Sequence, residues 1–314
     1  MSNYVKISTI GAHFPNMAVN LAHEEAVGEV MAHLKREVDQ VLPDKPDLIV
    51  LPEACDMPAG YTLERRVDYY RARGEKILEF FGKTARDNHC NIVYPSIREM
   101  NDGTWRNSIR MIDRNGNVAG AYNKNHLFPV EFKDGILCGK EAPIIQCDFG
   151  RVACVICFDL NMDELRLKYI KEKPDLLIFS SMFHGGLMQN YWAYSCRSHF
   201  VGAIANDIPS SIISPLGEII DSSTNYTDFV TATVNLDCVV VHLDYNYEKL
   251  KALKSKYGCK VKIADPGHLG SVLISSETAE CTAKDFLREF EMESLDEYFD
   301  WALKMHHLPE NREG

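Results

Sequence analysis

The chain has 314 residues, 46% of them hydrophobic and 25% charged, ample material for one large α/β domain or two small ones. Its formal net charge is −11 and no long basic run occurs, so neither nucleic acid nor an anionic membrane surface is expected as a partner. No stretch of about 18 apolar residues is available to span a bilayer, and the opening Met1-Ser2-Asn3-Tyr4-Val5-Lys6 lacks the apolar core of a signal peptide.

Val5 to His13 reads as the first strand. A helix follows from about Glu24 to Val41, with Val27, Val30, Met31 and Leu34 on one face. Leu48-Ile49-Val50-Leu51 is an unbroken apolar run ahead of Pro52 and Glu53, the pattern of a strand buried on both faces. A helix is expected from about Leu63 to Asn88 and a strand from Asn91 to Arg98. Asn107 to Asp113 and Val118 to Asn123 bracket Arg114-Asn115-Gly116-Asn117, and Asn-Gly between two strand patterns predicts a hairpin. Ile144 to Cys147 and Val152 to Ile156 flank a second turn. A helix from about Asp163 to Glu172 leads to a strand at Asp175 to Ser180, and a helix from Gln189 to His199 leads to one at Val201 to Ala205. Ser210 to Ser214, Glu218 to Asp221 and Phe229 to Leu236 are further strands.

Hairpins mixed with strand–helix units predict an α/β fold, a four-layer α-β-β-α sandwich of two mixed sheets with helices outside. The pattern changes after about Val239. Tyr245 to Tyr257 and Thr282 to Met305 read as helices, and Gly267 to Ser275 is ambiguous. The expected division is a body over residues 1–238 and a C-terminal helical extension over 239–314, packing on the body or on a partner subunit. The ten cysteines, several inside apolar strand patterns, are expected to be reduced thiols in a cytoplasmic compartment. No His-Glu-x-x-His occurs and His306-His307 reads as solvent-facing tail, so no metal and no cofactor are expected.

One cysteine stands apart. Arg151-Val152-Ala153-Cys154-Val155-Ile156-Cys157 is an apolar, β-branched strand, and the residues from Cys157 to Arg166 read as a helix start. A side chain at that corner stands at the end of a sheet beside unpaired helix N–H groups. A thiol there is expected to have a lowered pKa, with donors at hand for an oxyanion. By position alone, a buried structural cysteine fits as well. Two further residues close strands of their own: Glu53 after the Leu48–Leu51 run, and Lys124 after Val118-Ala119-Gly120-Ala121-Tyr122-Asn123. Each alone fits a surface residue. Together with the thiol they form a set for acyl transfer, because ligands gather beyond the carboxyl ends of strands in open α/β sheets. Glu53 can take the thiol proton and return it to a departing amine. Lys124 and a backbone N–H near Phe158 can stabilise the tetrahedral oxyanion. On this reading Glu53→Gln leaves the thiol less reactive toward alkylating agents. His126, Asp159, Glu164 and Arg166 are assigned structural contacts.

Leu51-Pro52-Glu53, Lys124-x-His126-Leu127-Phe128 and Cys157-x-Asp159-x4-Glu164-x-Arg166, in this order, resemble the three signature blocks of the nitrilase superfamily, the carbon–nitrogen hydrolases. The resemblance covers about Val5 to Leu236. It implies the four-layer sandwich, a homodimer or higher homo-oligomer, Glu53 as general base, Lys124 as oxyanion stabiliser and Cys157 as nucleophile. It also implies a second glutamate between lysine and cysteine; Glu131 is the best match and Glu141 the substitute. Where many members have Phe-Pro this chain has Met162-Asp163, which alters the loop beside the nucleophile.

Nitrile-cleaving members typically carry Cys-Trp-Glu at the nucleophile, whereas Cys157-Phe158-Asp159 is similar to the amidase and carbamoylase branches, as is Tyr191-Trp192-Ala193-Tyr194-Ser195-Cys196-Arg197. The expected function is hydrolysis of a linear amide or N-carbamoyl compound through a cysteine thioester. Nitrile hydrolysis and acyl transfer by the same triad are the alternatives. Tyr61, Phe158, Met182, His184 and Trp192, with Phe128 and Phe183, are candidate substrate contacts because they lie near the catalytic strand ends in sequence.

Overall fold

In the computed structural model, which describes residues 1–313, the first two hundred or so residues alternate short buried strands with helices. The first half contributes β1 (Tyr4–Ile10), α1 (His23–Asp39), β2 (Leu48–Val50), α2 (Leu63–Arg73), α3 (Lys76–Asn88), β3 (Asn91–Glu99), β4 (Trp105–Ile112), β5 (Val118–Asn123) and α4 (Pro129–Lys133). The second contributes β6 (Ile145–Gln146), β7 (Arg151–Ile156), a 3-10 turn over Cys157–Asn161, α5 (Asp163–Glu172), β8 (Leu176–Ser181), α6 (Leu187–Cys196), β9 (His199–Ile204), β10 (Ser211–Ile213), β11 (Ile219–Ser222) and β12 (Phe229–Asn235). Two six-stranded sheets result, in the orders β12-β1-β2-β3-β4-β5 and β11-β10-β9-β8-β7-β6. Each has a parallel centre, β1-β2-β3 in one and β7-β8-β9 in the other. Antiparallel hairpins extend both.

The sheets lie face to face. Thr9 Oγ1 on β1 donates to the Gly202 carbonyl of β9 at 2.9 Å, and Ser180 Oγ on β8 donates to the Leu51 carbonyl just past β2 at 2.8 Å. Close approach is sterically required at Gly11, where a Cβ would sit 2.5 Å from the Ile204 carbonyl oxygen. On the outside of the first sheet, Val27, Val30 and Leu34 of α1 and Ile77 and Phe81 of α3 share a core with Ile49, Ile92 and Tyr94. On the outside of the second, Tyr169 of α5 donates its hydroxyl to the Cys154 carbonyl, and Leu165 and Trp192 are buried. The expected four layers are present. One helix differs: the span expected over 63–88 is two helices, because Gly74 at φ 50° ends α2, a conformation glycine adopts without steric penalty.

Val5–Val234 form one unit; Met1–Tyr4 and the chain from Asn235 onward form another. The second contains β13 (Cys238–His242), α7 (Tyr247–Tyr257), β14 (Val261–Ala264), β15 (Ser271–Ser276), α8 (Ala283–Glu289) and α9 (Leu295–His306). The extension therefore carries the expected helices and, in addition, an antiparallel sheet in the order β13-β15-β14. The helix expected over 282–305 is broken at Glu291, which has φ 51°. Each half starts at its own capping box, Thr282 with Asp285 and Ser294 with Glu297. Val241, Leu253, Val272, Ile274, Phe286 and Leu287 make this unit's core.

Candidate active site

Glu53 leaves the carboxyl end of β2, and the loop after it is tied down from beneath. Ala54 has φ 47°. Asp56 is fully buried and takes hydrogen bonds from Arg73 Nη1 at 2.6 Å and Tyr94 Oη at 2.5 Å, while Arg73 Nη2 donates to the Ile97 carbonyl at 2.7 Å. Buried charges persist only when paired in this way, and the pairing fixes where Glu53 points.

Lys124 closes β5 and is 1% exposed, so its ammonium must be satisfied by protein. Its Nζ donates to Glu53 Oε1 at 2.8 Å and to Glu131 Oε2 at 2.7 Å. Asn107 on β4 repeats the bridge from the other side, its Nδ2 lying 2.8 Å from Glu53 Oε1 and 2.8 Å from Glu131 Oε1. Glu131 is held in turn by the start of α4, where its Oε2 accepts the Phe128 backbone N–H at 2.8 Å. The remaining Glu53 oxygen, Oε2, is buried with no hydrogen-bond partner among the described residues. Burial works against the charge of Lys124, but Glu53 and Glu131, with Cys157 adding to them, outweigh it and hold the amine above the usual lysine range. Glu131, not Glu141, is the glutamate brought to the lysine; Glu141 offers its backbone carbonyl to Asn125 Nδ2 at 3.0 Å.

Cys157 turns the chain from β7 into the 3-10 turn with φ 47°, a left-handed value that costs a residue with a Cβ and persists only where surroundings enforce it. Asp159 does the enforcing. Its Oδ2 accepts the Ile156 N–H at 3.0 Å and the Tyr122 hydroxyl at 2.8 Å. Its Oδ1 accepts the His126 N–H at 2.8 Å and lies 3.0 Å from His126 Nδ1. One carboxylate thus fastens the cysteine corner to the segment that follows Lys124. The lowered thiol pKa expected from the corner is corrected. Burial, then the Glu53 charge, push the Cys157 thiol up to about 12, against the Lys124 ammonium, the Met182 N–H and the Ser181 hydroxyl. Cys154 and Cys157 have Cys-x-x-Cys spacing, yet both are free, and Cys154 is buried within β7.

Glu53, Lys124, Glu131 and Cys157 line one cavity of about 580 Å³. Phe158, Met182, Phe128 and Phe183 line it too, and the Phe128 and Phe158 rings meet edge-on at 5.7 Å. Tyr61, His184 and Trp192 do not line it. Tyr61 packs its ring against Tyr69 at 6.3 Å with the Arg65 guanidinium 4.5 Å from its centroid. His184 is exposed and accepts the Gly186 N–H. Trp192 is fully buried on α6. Nearness in sequence to a strand end does not set the direction of a side chain, which is why these three assignments fail as cavity contacts. Sequence reasoning also missed Asn107, Arg66, Trp105 and Asp134. A signal existed for Asn107, since asparagine is disfavoured inside a strand. Among the described residues no helix is long and apolar enough to cross a membrane, and no group of three or more His, Cys, Asp or Glu could hold a metal ion.

Residues 17–240 match the family described as carbon-nitrogen hydrolase. Omega-amidase NIT2 of Danio rerio is 23% identical over 217 residues, 60% of this chain and 76% of that protein. A hydrolase in the agr operon of Staphylococcus lugdunensis is 25% identical over 214 residues, 62% of this chain and 89% of that one. The structure of an amidase from Nesterenkonia sp. AN1 in complex with acrylamide superposes with a TM-score of 0.64 at 12% identity, covering 81% of this chain and 97% of that chain. Nit3 of Saccharomyces cerevisiae, a member of branch 10 of the nitrilase superfamily, gives 0.61 at 14% identity, with 82% and 95% covered.

Proposed function

The chain belongs to the carbon-nitrogen hydrolase family and is an enzyme of that class, and on that premise we propose that it hydrolyses a linear amide or N-carbamoyl compound through a thioester on Cys157. The observation that carries this reading is the buried ammonium of Lys124 held between Glu53 and Glu131, lining the same cavity as the strained Cys157 corner. A thiol pushed up to about 12 is protonated at neutral pH. Its proton therefore has to leave as the sulfur attacks, and the unpartnered Oε2 of Glu53 is the acceptor. The sulfur adds to the carbonyl carbon. The oxygen takes up the negative charge and is met by Lys124 and a backbone N–H near Phe158. Glu53 then gives its proton to the nitrogen, the C–N bond breaks, and ammonia or an amine departs. Water, deprotonated by Glu53, cleaves the thioester and restores the thiol. Glu131 and Asn107 hold Lys124 and Glu53 in register for both halves.

Intact-mass measurement after mixing with amide, N-carbamoyl and nitrile libraries tests the reading. The expected result is an acyl or carbamoyl adduct confined to Cys157, with ammonia released from amides and not from nitriles. An adduct from nitriles alone favours the nitrile-hydrolase alternative. N-acyl products in the presence of a competing amine favour acyl transfer. No adduct with any of them removes the thioester.

We also propose a cytoplasmic location and assembly into at least a homodimer. The first is supported by the ten cysteines, none of them in a disulfide among the described residues, of which Cys55, Cys90, Cys147, Cys154 and Cys196 are buried. The second is supported by the apolar side chains that α9 leaves outside its unit's core: Phe299, Trp301 and Leu303 are 46%, 50% and 55% exposed. Phe286, Leu287 and Leu295 are by contrast buried, so truncating the chain near Glu280 would dismantle a core. Charged substitution is the sounder probe. The full chain is expected to sediment at the mass of two chains or more, and Phe299→Glu with Leu303→Glu to lower that mass. A full-length monomer rules out the dimer, and unchanged assembly in the variant rules out α9 as its contact.

A further inference from the structure

The cavity lining holds two chemically different sets of residues, a charged cluster and an apolar wall. Beyond the Glu53, Lys124, Glu131 and Cys157 cluster, its walls are Met57, Val67, Ile97, Trp105, Ile136 and Phe183. The apolar lining continues to solvent, since Phe128 and Val130 belong to it and are 50% and 49% exposed. The charged groups of the lining pair with one another. Lys124 is shared by two carboxylates. Arg66, the other cation of the lining among the described residues, has Nη2 3.3 Å from Asp134 Oδ2 and Nη1 3.5 Å from Met57 Sδ, while its Nε is buried without a hydrogen-bond partner. Glu53, Glu131 and Asp134 against Lys124 and Arg66 leave the lining at three negative and two positive charges, a net −1. An anionic acyl group would shed its water here and meet a lining of net negative charge. An apolar group would exchange water for apolar walls, the favourable direction. The volume, about 580 Å³, falls in the range of sites that enclose a whole small molecule.

We infer that the acyl portion of the substrate is uncharged and predominantly apolar, a medium-chain aliphatic or arylalkyl amide seated between α2 and the Trp105 and Ile136 wall with its carbonyl carbon at Cys157. This rests on the amide-hydrolase reading above. The reaction is unchanged: the C–N bond breaks, one water is consumed, and the products are a carboxylic acid and ammonia.

The test is ammonia release by the native chain from acetamide, butanamide, hexanamide, phenylacetamide and succinamic acid, in which a carboxylate replaces the terminal methyl of butanamide. The expected result is a kcat/KM that climbs about fourfold per methylene from acetamide to hexanamide, the factor equivalent to about 0.8 kcal/mol per buried CH₂, with succinamic acid below butanamide. Val67→Arg, which adds a cation to the wall, is expected to lower the hexanamide-to-acetamide ratio by about tenfold. That ratio is independent of how much of the variant folds. A flat or falling dependence on chain length, or succinamic acid as the best substrate, overturns the inference while leaving the amide-hydrolase reading standing. No ammonia from any of the amides overturns the inference and the amide half of the proposed function, and leaves N-carbamoyl hydrolysis standing.

Discussion

Cys157→Ala is expected to fold as the parent does and to lose turnover by roughly 10⁶ in kcat, the scale seen when a covalent nucleophile is removed. The variant leaves no buried charge behind and does not alter the φ 47° corner, because the Asp159 clamp on the Ile156 N–H, Tyr122 and His126 involves no sulfur. Loss of activity in this variant therefore reports chemistry and not collapse. Ammonia release read beside a thermal melt is the measurement. Turnover close to the parent's, with an unchanged melt, would remove Cys157 from the reaction and with it the thioester.

Glu53→Gln is expected to cost about 10²–10⁴ in turnover, the usual contribution of a general base, and at the same time to make the resting thiol easier to ionise. After burial, the Glu53 charge is the largest influence raising the Cys157 thiol, so removing it moves the thiol pKa down. In the parent, the alkylation rate of Cys157 rises about tenfold per pH unit toward the region of about 12, because only the thiolate reacts. In the variant the same rise begins at lower pH, and the rate at mildly alkaline pH is higher. The simpler expectation, that losing the base leaves the thiol less reactive, is reversed because the neighbouring carboxylate repels the thiolate while it serves the attack. Near-normal turnover in Glu53→Gln would end its assignment as base; an unshifted alkylation profile would show that the two groups do not interact. Lys124→Met is a poorer test, since it leaves Glu53 and Glu131 buried without their cation, a loss worth about 3–5 kcal/mol of stability.

Most elements were legible because their signals are local. The Leu48–Leu51 run, the Asn115-Gly116 turn and the strand-to-helix change at Cys157 each depend on a few consecutive residues, and the hairpins among strand–helix units imply two mixed sheets. Local signals that were passed over include Gly74, which divides α2 from α3, the Ser294–Glu297 capping box, which starts α9, and the β-branched Val239-Val240-Val241 of β13. Their information was present in the chain.

The sequence by itself determined that a thiol, a carboxylate and an ammonium close three separate strands. Only the tertiary structure decided that Lys124 stands between Glu53 and Glu131, that Asn107 spans the same two carboxylates, and that Tyr61, His184 and Trp192 face elsewhere. The physical reason is range. Element type follows from neighbours along the chain, whereas the partner of a side chain and the polarity around it depend on packing between segments that lie 54 residues apart for Glu53 and Asn107 and 71 for Glu53 and Lys124. The thiol shows the difference most directly. A strand-to-helix corner read in isolation lowers its pKa, but burial against Glu53 raises it to about 12, and no spacing of residues along the chain carries that burial.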